Sequence, residues 1–132
     1  MGCEGIMQSV IGIHSDDWER EIQKYKFLVL VEFWYQNCPW CLKLNPILDE
    51  VAVEYAGKVK FTRMDVLESE GNRNIAIKHG IMATPTLVFL CDGRPVQTVT
   101  GFQQKEGLRQ IVDDVIEKHR DCLERTTLLK TG

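Results

Sequence analysis

Apolar positions along this chain fall into two spacings, and the changes between them mark out its elements. Residues 7–13 lean toward a strand through Val10, Ile11 and Ile13. Ser15 or Asp16 is placed to cap a helix, with acidic side chains at its positive end. Trp18, Ile22 and Tyr25 then recur at i, i+4 and i+7, one helical face. Residues 27–34 are almost wholly apolar, which predicts a strand covered on both faces, central and parallel to a neighbour. Leu44, Leu48, Val51 and Tyr55 return to helical spacing and stop at Gly57, with Pro46 inside the helix as a kink. A second strand is expected over 59–66, where Arg63 and Asp65 share a face with Val59 and Phe61. A short helix follows over 68–79, stopped by Gly80. The apolar run 87–90, the Asp92-Gly93 turn and residues 96–100 read as a hairpin. Leu108, Ile111, Val112, Val115 and Ile116 form a helical stripe over 105–120. The order β-α-β-α-β-α-β-β-α predicts one α/β domain built on a mixed sheet. Its core spans about 7–119, and the polar residues 120–132 are expected to fray.

Composition narrows the function without naming it. A chain of 132 residues with 44% hydrophobic and 27% charged content suits one globular domain with a real core. A net charge of -3 and the lack of a basic cluster give no reason to expect nucleic acid. The longest apolar run is far too short to span a membrane. Met1-Gly2-Cys3 resembles an acylation start, but Ile6 stands where Ser or Thr is needed. Without a signal-peptide pattern, the expected location is cytoplasmic. Five cysteines, an odd number, argue against a full disulfide framework.

The chemistry concentrates at Cys38-Pro39-Trp40-Cys41, between the apolar strand and the next helix. At a helix start, the Cys38 sulfur faces unpaired N–H groups and the positive end of the dipole, which favours the nucleophilic thiolate. One turn on, Cys41 is close enough to resolve a mixed disulfide. A zinc or iron–sulfur site needs a second ligand pair, and Cys3, Cys91 and Cys122 are scattered singletons, so no metal is expected. Cys91 reads as a small core residue, and Cys3 and Cys122 as accessible bystanders. His14, His79 and His119 lack ligand spacing and read as surface residues. Glu32 is out of place in its apolar strand. Burial there raises a carboxyl's pKa toward the range of a general base, and Cys41 needs a base before it can attack. Trp34 reads as packing that shields the sulfurs, and Trp40 as a partly exposed aromatic contact for a protein partner. Pro39 suits the first turn of the helix, and the Trp40 N–H is a candidate donor to the Cys38 thiolate. A better-stabilised thiolate gives a less reducing potential.

Across roughly residues 7–119 the chain resembles the thioredoxin family. The features that carry the resemblance are Val31-Glu32-Phe33-Trp34 leading into Cys38-x-x-Cys41, Pro46 five residues after the second cysteine, Ala83-Thr84-Pro85-Thr86, Asp92-Gly93 and Gly101. It implies a thioredoxin fold with helices on both faces of the sheet, and dithiol–disulfide exchange on disulfide-containing protein substrates. It also implies a cis Pro85 that presents the Thr84 backbone to an extended substrate, Gly101 facing the substrate, and Arg63 where thioredoxins hold a lysine near the buried acid. No cofactor is implied. A reductase would donate the electrons, and a monomer is expected. The chain departs from thioredoxins in Pro39-Trp40 between the cysteines, in Asn37 before them, in Leu42 after them, and in Glu32 where they carry Asp. A more oxidising isomerase- or glutaredoxin-like enzyme and a thioredoxin-fold interaction module therefore stand as alternatives.

Overall fold

The structure, a computed structural model, describes residues 9–123. Its strands are β1 (Val10–Gly12), β2 (Leu28–Trp34), β3 (Lys60–Asp65), β4 (Thr86–Cys91) and β5 (Arg94–Thr100). Its helices are α1 (Pro39–Glu54), α2 (Glu70–Lys78) and α3 (Lys105–Lys118). The sheet order is β1-β3-β2-β4-β5. β1 and β2 run parallel to β3, and β4 runs antiparallel to both β2 and β5. β2 is therefore the central strand, as its nearly unbroken apolar run predicts, and six of its seven residues are buried.

Alternation along the strands sends side chains into two cores, one on each face. Leu28, Leu30, Phe61, Leu87 and Phe89 pack with Leu44, Leu48 and Val51 of α1 and Leu108, Val112 and Val115 of α3. Val29, Val31, Phe33, Met64, Val88 and Leu90 pack with Ile13, Trp18, Ile22 and Ala76 on the other face. The result is a three-layer α/β sandwich around a mixed sheet, the predicted class.

The first helical segment differs from the expected single helix. Ser15–Asp17 form a 3-10 turn, and Glu19–Gln23 form one wide turn closed by Lys24 N–H donating to the Glu19 carbonyl at 2.9 Å. His14, not Ser15 or Asp16, occupies the cap position, its N–H donating to Asp17 Oδ2 at 3.0 Å. Trp18 and Ile22 are buried all the same, because two residues on one short face can be covered without a regular helix. α2 starts two residues later than expected, where Ser69 caps it by accepting from Asn72 N–H at 3.0 Å. Asp92 and Gly93 both take positive φ, 53° and 77°, as a tight hairpin turn requires. A Cβ at Gly93 would also strike the backbone carbonyl of Gln23.

Three readings need correction. Cys91 and Cys122 are not a lone core residue and a bystander: they form a disulfide with Cα atoms 6.0 Å apart, and Cys122 is 3% exposed. Residues 120–123 do not fray, since Arg120–Cys122 make a 3-10 turn and Leu123 is buried beneath it. Residues 31 apart cannot be paired by local pattern, so nothing in the spacing announced the bond. His79 is no free surface residue either: its ring lies 5.1 Å from that of Trp18 and 6.2 Å from that of Phe33, and burial lowers its pKa. Cys3 lies outside the described residues.

The disulfide holds the last turn to the end of β4. Closing a loop of this size is worth about 3–4 kcal/mol by chain entropy. Cys122→Ser should therefore lower the unfolding free energy by that order. Urea titrations with and without reductant check it: the wild type should match the variant only when its own bond is reduced.

Candidate active site

Both cysteines of the pair sit where β2 hands over to α1. Cys38 is the N-cap of α1, with extended backbone (φ -91°, ψ 109°), and Pro39 takes the first helical position, where its missing N–H costs nothing. The pair is disulfide-bonded, with Cα atoms 5.2 Å apart. Cys41 is fully buried and Cys38 is 4% exposed, so the expected difference in access is present but small. The Cys38 sulfur accepts from the Cys41 N–H at 3.3 Å. The expected donor, the Trp40 N–H, is thus displaced by its neighbour. A capping side chain reaches N2 or N3, and Cys41 is the third residue of the helix.

A second donor comes from across the sheet. Thr84 Oγ1 donates to the Cys38 sulfur at 3.3 Å, and the Thr84 carbonyl oxygen lies 3.6 Å from it. Sequence reasoning assigned Thr84 a backbone role and missed its hydroxyl. Thr84-Pro85 is a cis peptide, as the resemblance implied. The loop is tied to the end of β5, where Gly101 N–H donates to the Pro85 carbonyl at 2.8 Å. Gly101 has φ 100°, a conformation that favours glycine. Beside the sulfur lies an open groove of about 400 Å³ lined by Trp40, Thr84, Pro85, Gly101 and Phe102. Trp40 is 54% exposed and half-covered by Phe102, ring centroids 5.4 Å apart, with Lys43 Nζ 4.7 Å from its ring centre. Four predicted residues thus meet around one groove. Trp34 is not in its lining: it stays half-buried at the end of β2, its carbonyl accepting from Val66 N–H at 2.8 Å. On the other side of Thr84, a hollow of about 550 Å³ runs between Leu67, Ile77 and Met82.

Beneath the pair lies Glu32, fully buried on the α1 face of β2. Glu32 and Arg63 are directly opposite in the parallel β2–β3 register, which sends both side chains to one face. Arg63 Nε donates to Glu32 Oε1 at 3.0 Å, and its Nη2 reaches Asp49 Oδ1 at 3.1 Å. With its nitrogen turned toward the acceptors around it, the Asn45 amide donates to Glu32 Oε2 at 2.7 Å and to the Cys41 carbonyl at 2.9 Å. Asn45 and Asp49 were not anticipated; both lie on α1, four residues apart and so on one face. Burial pushes the Glu32 carboxyl up to about 7, and the Arg63 cation limits the rise. Desolvation wins because the guanidinium is itself partly solvated, its side chain 18% exposed.

The chain matches the model of the thioredoxin family over residues 9–114. It is 34% identical over 105 residues to the thioredoxins of Staphylococcus aureus strains Mu50 and MW2, an alignment covering 80% of this chain and 96% of theirs. The chain belongs to the thioredoxin family. With the Cys38–Cys41 pair at the head of α1, it is a thiol–disulfide oxidoreductase, specifically a protein disulfide reductase. Among the described residues no helix is long and apolar enough to cross a membrane.

The Glu32 environment has a measurable cost. Its folded pKa is raised, so between about 4.5 and 7 the native state holds a proton that the unfolded chain has released. Stability should fall as pH rises through that window, by on the order of 3 kcal/mol at most, and stay lower above it. Unfolding free energies of wild type and Glu32→Gln, compared from about pH 4 to about pH 9, isolate the effect. The difference between them should change over that window and be flat beyond pH 8.

Proposed function

We propose that Cys38 is the attacking thiol and Cys41 the resolving one. In the reduced enzyme, the N–H of Cys41 and the hydroxyl of Thr84 supply two hydrogen bonds that favour the Cys38 thiolate. The thiolate attacks one sulfur of a substrate disulfide. The electron pair of the broken bond leaves on the other substrate sulfur, which takes up a proton. Cys41 then loses its proton, attacks the Cys38 sulfur and expels the first substrate sulfur as a thiolate. The chain ends oxidised, as a Cys38–Cys41 disulfide, and the substrate ends reduced.

Glu32 is the acceptor for the Cys41 proton. A carboxyl near neutrality is half ionised at working pH, so it can take a proton in this step and release it in the next cycle. Asn45 positions it, bonded to Glu32 on one side and to the Cys41 backbone on the other. Arg63 keeps the carboxylate form accessible despite burial. Substrate enters as an extended segment along Thr84-Pro85, with its side chains over Trp40 and Gly101. Trp34 shields the sulfurs from the strand side. A reductase regenerates the dithiol, and the chain works as a cytoplasmic monomer. The observation that carries this reading is the Cys38 sulfur, doubly hydrogen-bonded beside an open groove.

A second reading has one observation in its favour. The Cys91–Cys122 disulfide suits an oxidising compartment, where an isomerase-like enzyme works. The reduction potential separates the two, since reference values are about -270 mV for thioredoxin and about -180 mV for protein disulfide isomerase.

Cys38→Ser should abolish protein disulfide reduction, while Cys41→Ser should accumulate a stable mixed disulfide with substrate. Limiting iodoacetamide on the reduced protein, with peptide mapping, should label Cys38 first; earlier labelling of Cys41 would sink the assignment. Thr84→Val removes a hydrogen bond from the reduced form, so the potential should fall by about 30–60 mV, the equivalent of about 1.5–3 kcal/mol. Equilibration in glutathione buffers measures it, and an unchanged potential assigns the hydroxyl to packing alone.

A further inference from the structure

The Cys91–Cys122 bond lies outside the chemistry described above, at the other end of the sheet. Cys91 pairs with Leu28, the first residue of β2, whereas Cys38 follows the last. Six residues of strand between those levels span about 20 Å, too far for Cys38 to reach its own second disulfide. The two residues of that bond differ in burial. Cys91 is partly exposed, next to the Asp92-Gly93 turn, while Cys122 is 3% exposed and packed in the core beneath α1 and α3. The Cys122 sulfur lies 3.4 Å from the carbonyl oxygen of Lys26, where a thiol, once formed, has an acceptor waiting. Apart from that bond, Arg120–Cys122 is held by the Cys122 N–H donating to the His119 carbonyl at 2.9 Å, the Leu123 N–H donating to the Arg120 carbonyl at 3.1 Å, the Arg120–Glu117 ion pair at 2.9 Å and the burial of Cys122 and Leu123.

We propose that Cys91–Cys122 is a second redox-active disulfide, reduced by the active-site dithiol of another copy of this chain, and that it fastens the C-terminal turn to β4. The proposal rests on Cys38 being the attacking thiol. The Cys38 thiolate of a reduced copy attacks the sulfur of Cys91, the less buried residue of the pair. The Cys91–Cys122 bond breaks, and its electron pair goes to Cys122, which takes up a proton and donates to Lys26. Cys41 of the attacking copy gives up its proton, attacks its own Cys38 and expels Cys91 as a thiolate that is protonated from solvent. One dithiol is oxidised and one disulfide is reduced. In the reduced acceptor the turn keeps its burial and its backbone bonds but loses its covalent tie, so the hold on residues 120–123 follows the oxidation state of the pool of this enzyme. The same exchange accounts for a disulfide in a chain that works among reducing thiols, because the bond is then transient rather than permanent.

The test mixes two forms of the full chain. The acceptor is unlabelled Cys38→Ser/Cys41→Ser with its second disulfide formed; serine is a good N-cap, so α1 keeps its start. The donor is isotopically labelled wild type, fully reduced. Timed alkylation and mapping of unlabelled peptides then report Cys91 and Cys122 separately. Both should become reactive at least about ten-fold faster than with dithiothreitol at the same dithiol concentration. A labelled Cys38→Ser donor should give no such gain. A labelled Cys41→Ser donor should trap a Cys38–Cys91 cross-link. If the acceptor pair stays oxidised while the same donor reduces insulin, the bond is a permanent staple and the proposal falls. A cross-link to Cys122 overturns it as well. A donor that fails on insulin too defeats the assignment of Cys38, and this inference with it.

Discussion

A strand without an exposed face organises this molecule. β2 has neighbours on both edges and helices over both faces, so every side chain from Leu28 to Phe33 leaves water. For Leu, Val and Phe that burial supplies the driving force of the fold, about 25 cal/mol for each Å² of apolar surface covered. For Glu32 the same burial is a penalty. The molecule offsets it with the Arg63 guanidinium and the Asn45 amide. The strand also aims the chemistry. Its end delivers the chain to the start of α1, and its antiparallel pairing with β4 brings the Thr84-Pro85 loop to the same pole. The sulfur and its hydroxyl donor meet although 46 residues separate them.

The parts legible from sequence were those governed by local pattern. The apolar run 27–34, the helical stripe on α3 and the hairpin turn at Asp92-Gly93 were visible as periodicity and turn chemistry, and each became the element expected. Glu32 was visible as a contradiction, a charge in an apolar strand, and its partner Arg63 as a polar break in the next one. What could not be read were contacts between sites far apart in sequence. The Thr84 hydroxyl reaches Cys38 through the antiparallel register of two strands, and no spacing encodes that. Asn45 and Asp49 looked like ordinary polar positions on a helix until α1 was laid over Glu32. Cys91 and Cys122 were treated singly, because each alone has the profile of an inert residue.

The site divides its labour by layer. Above the pair, the cis peptide, Gly101 and the ring of Trp40 line the open groove. Below it lie a buried carboxyl and the amide bonded to it. The two cysteines stand between, one turned to each layer: Cys38 to the Thr84 loop, Cys41 to Asn45 by its carbonyl. On the proposed mechanism, changes in the groove act on partner choice, and changes around Glu32 on the timing of release.

The margins of the sheet carry a consequence of their own. β1 is only three residues long. At the other margin β5 carries Pro95, and the β4–β5 register slips between Phe89 and Leu90, opposite that proline. An edge strand with a proline and a bulge is a poor template for another strand, since a donor is missing and the local twist turns the remaining ones away. A protein disulfide reductase acts on other chains, and a partly unfolded chain is prone to add itself to an open sheet. Among the described residues, the blunted margins offer an extended visitor a poor edge, which on the proposed mechanism favours pairing at the cis-proline loop beside the sulfur.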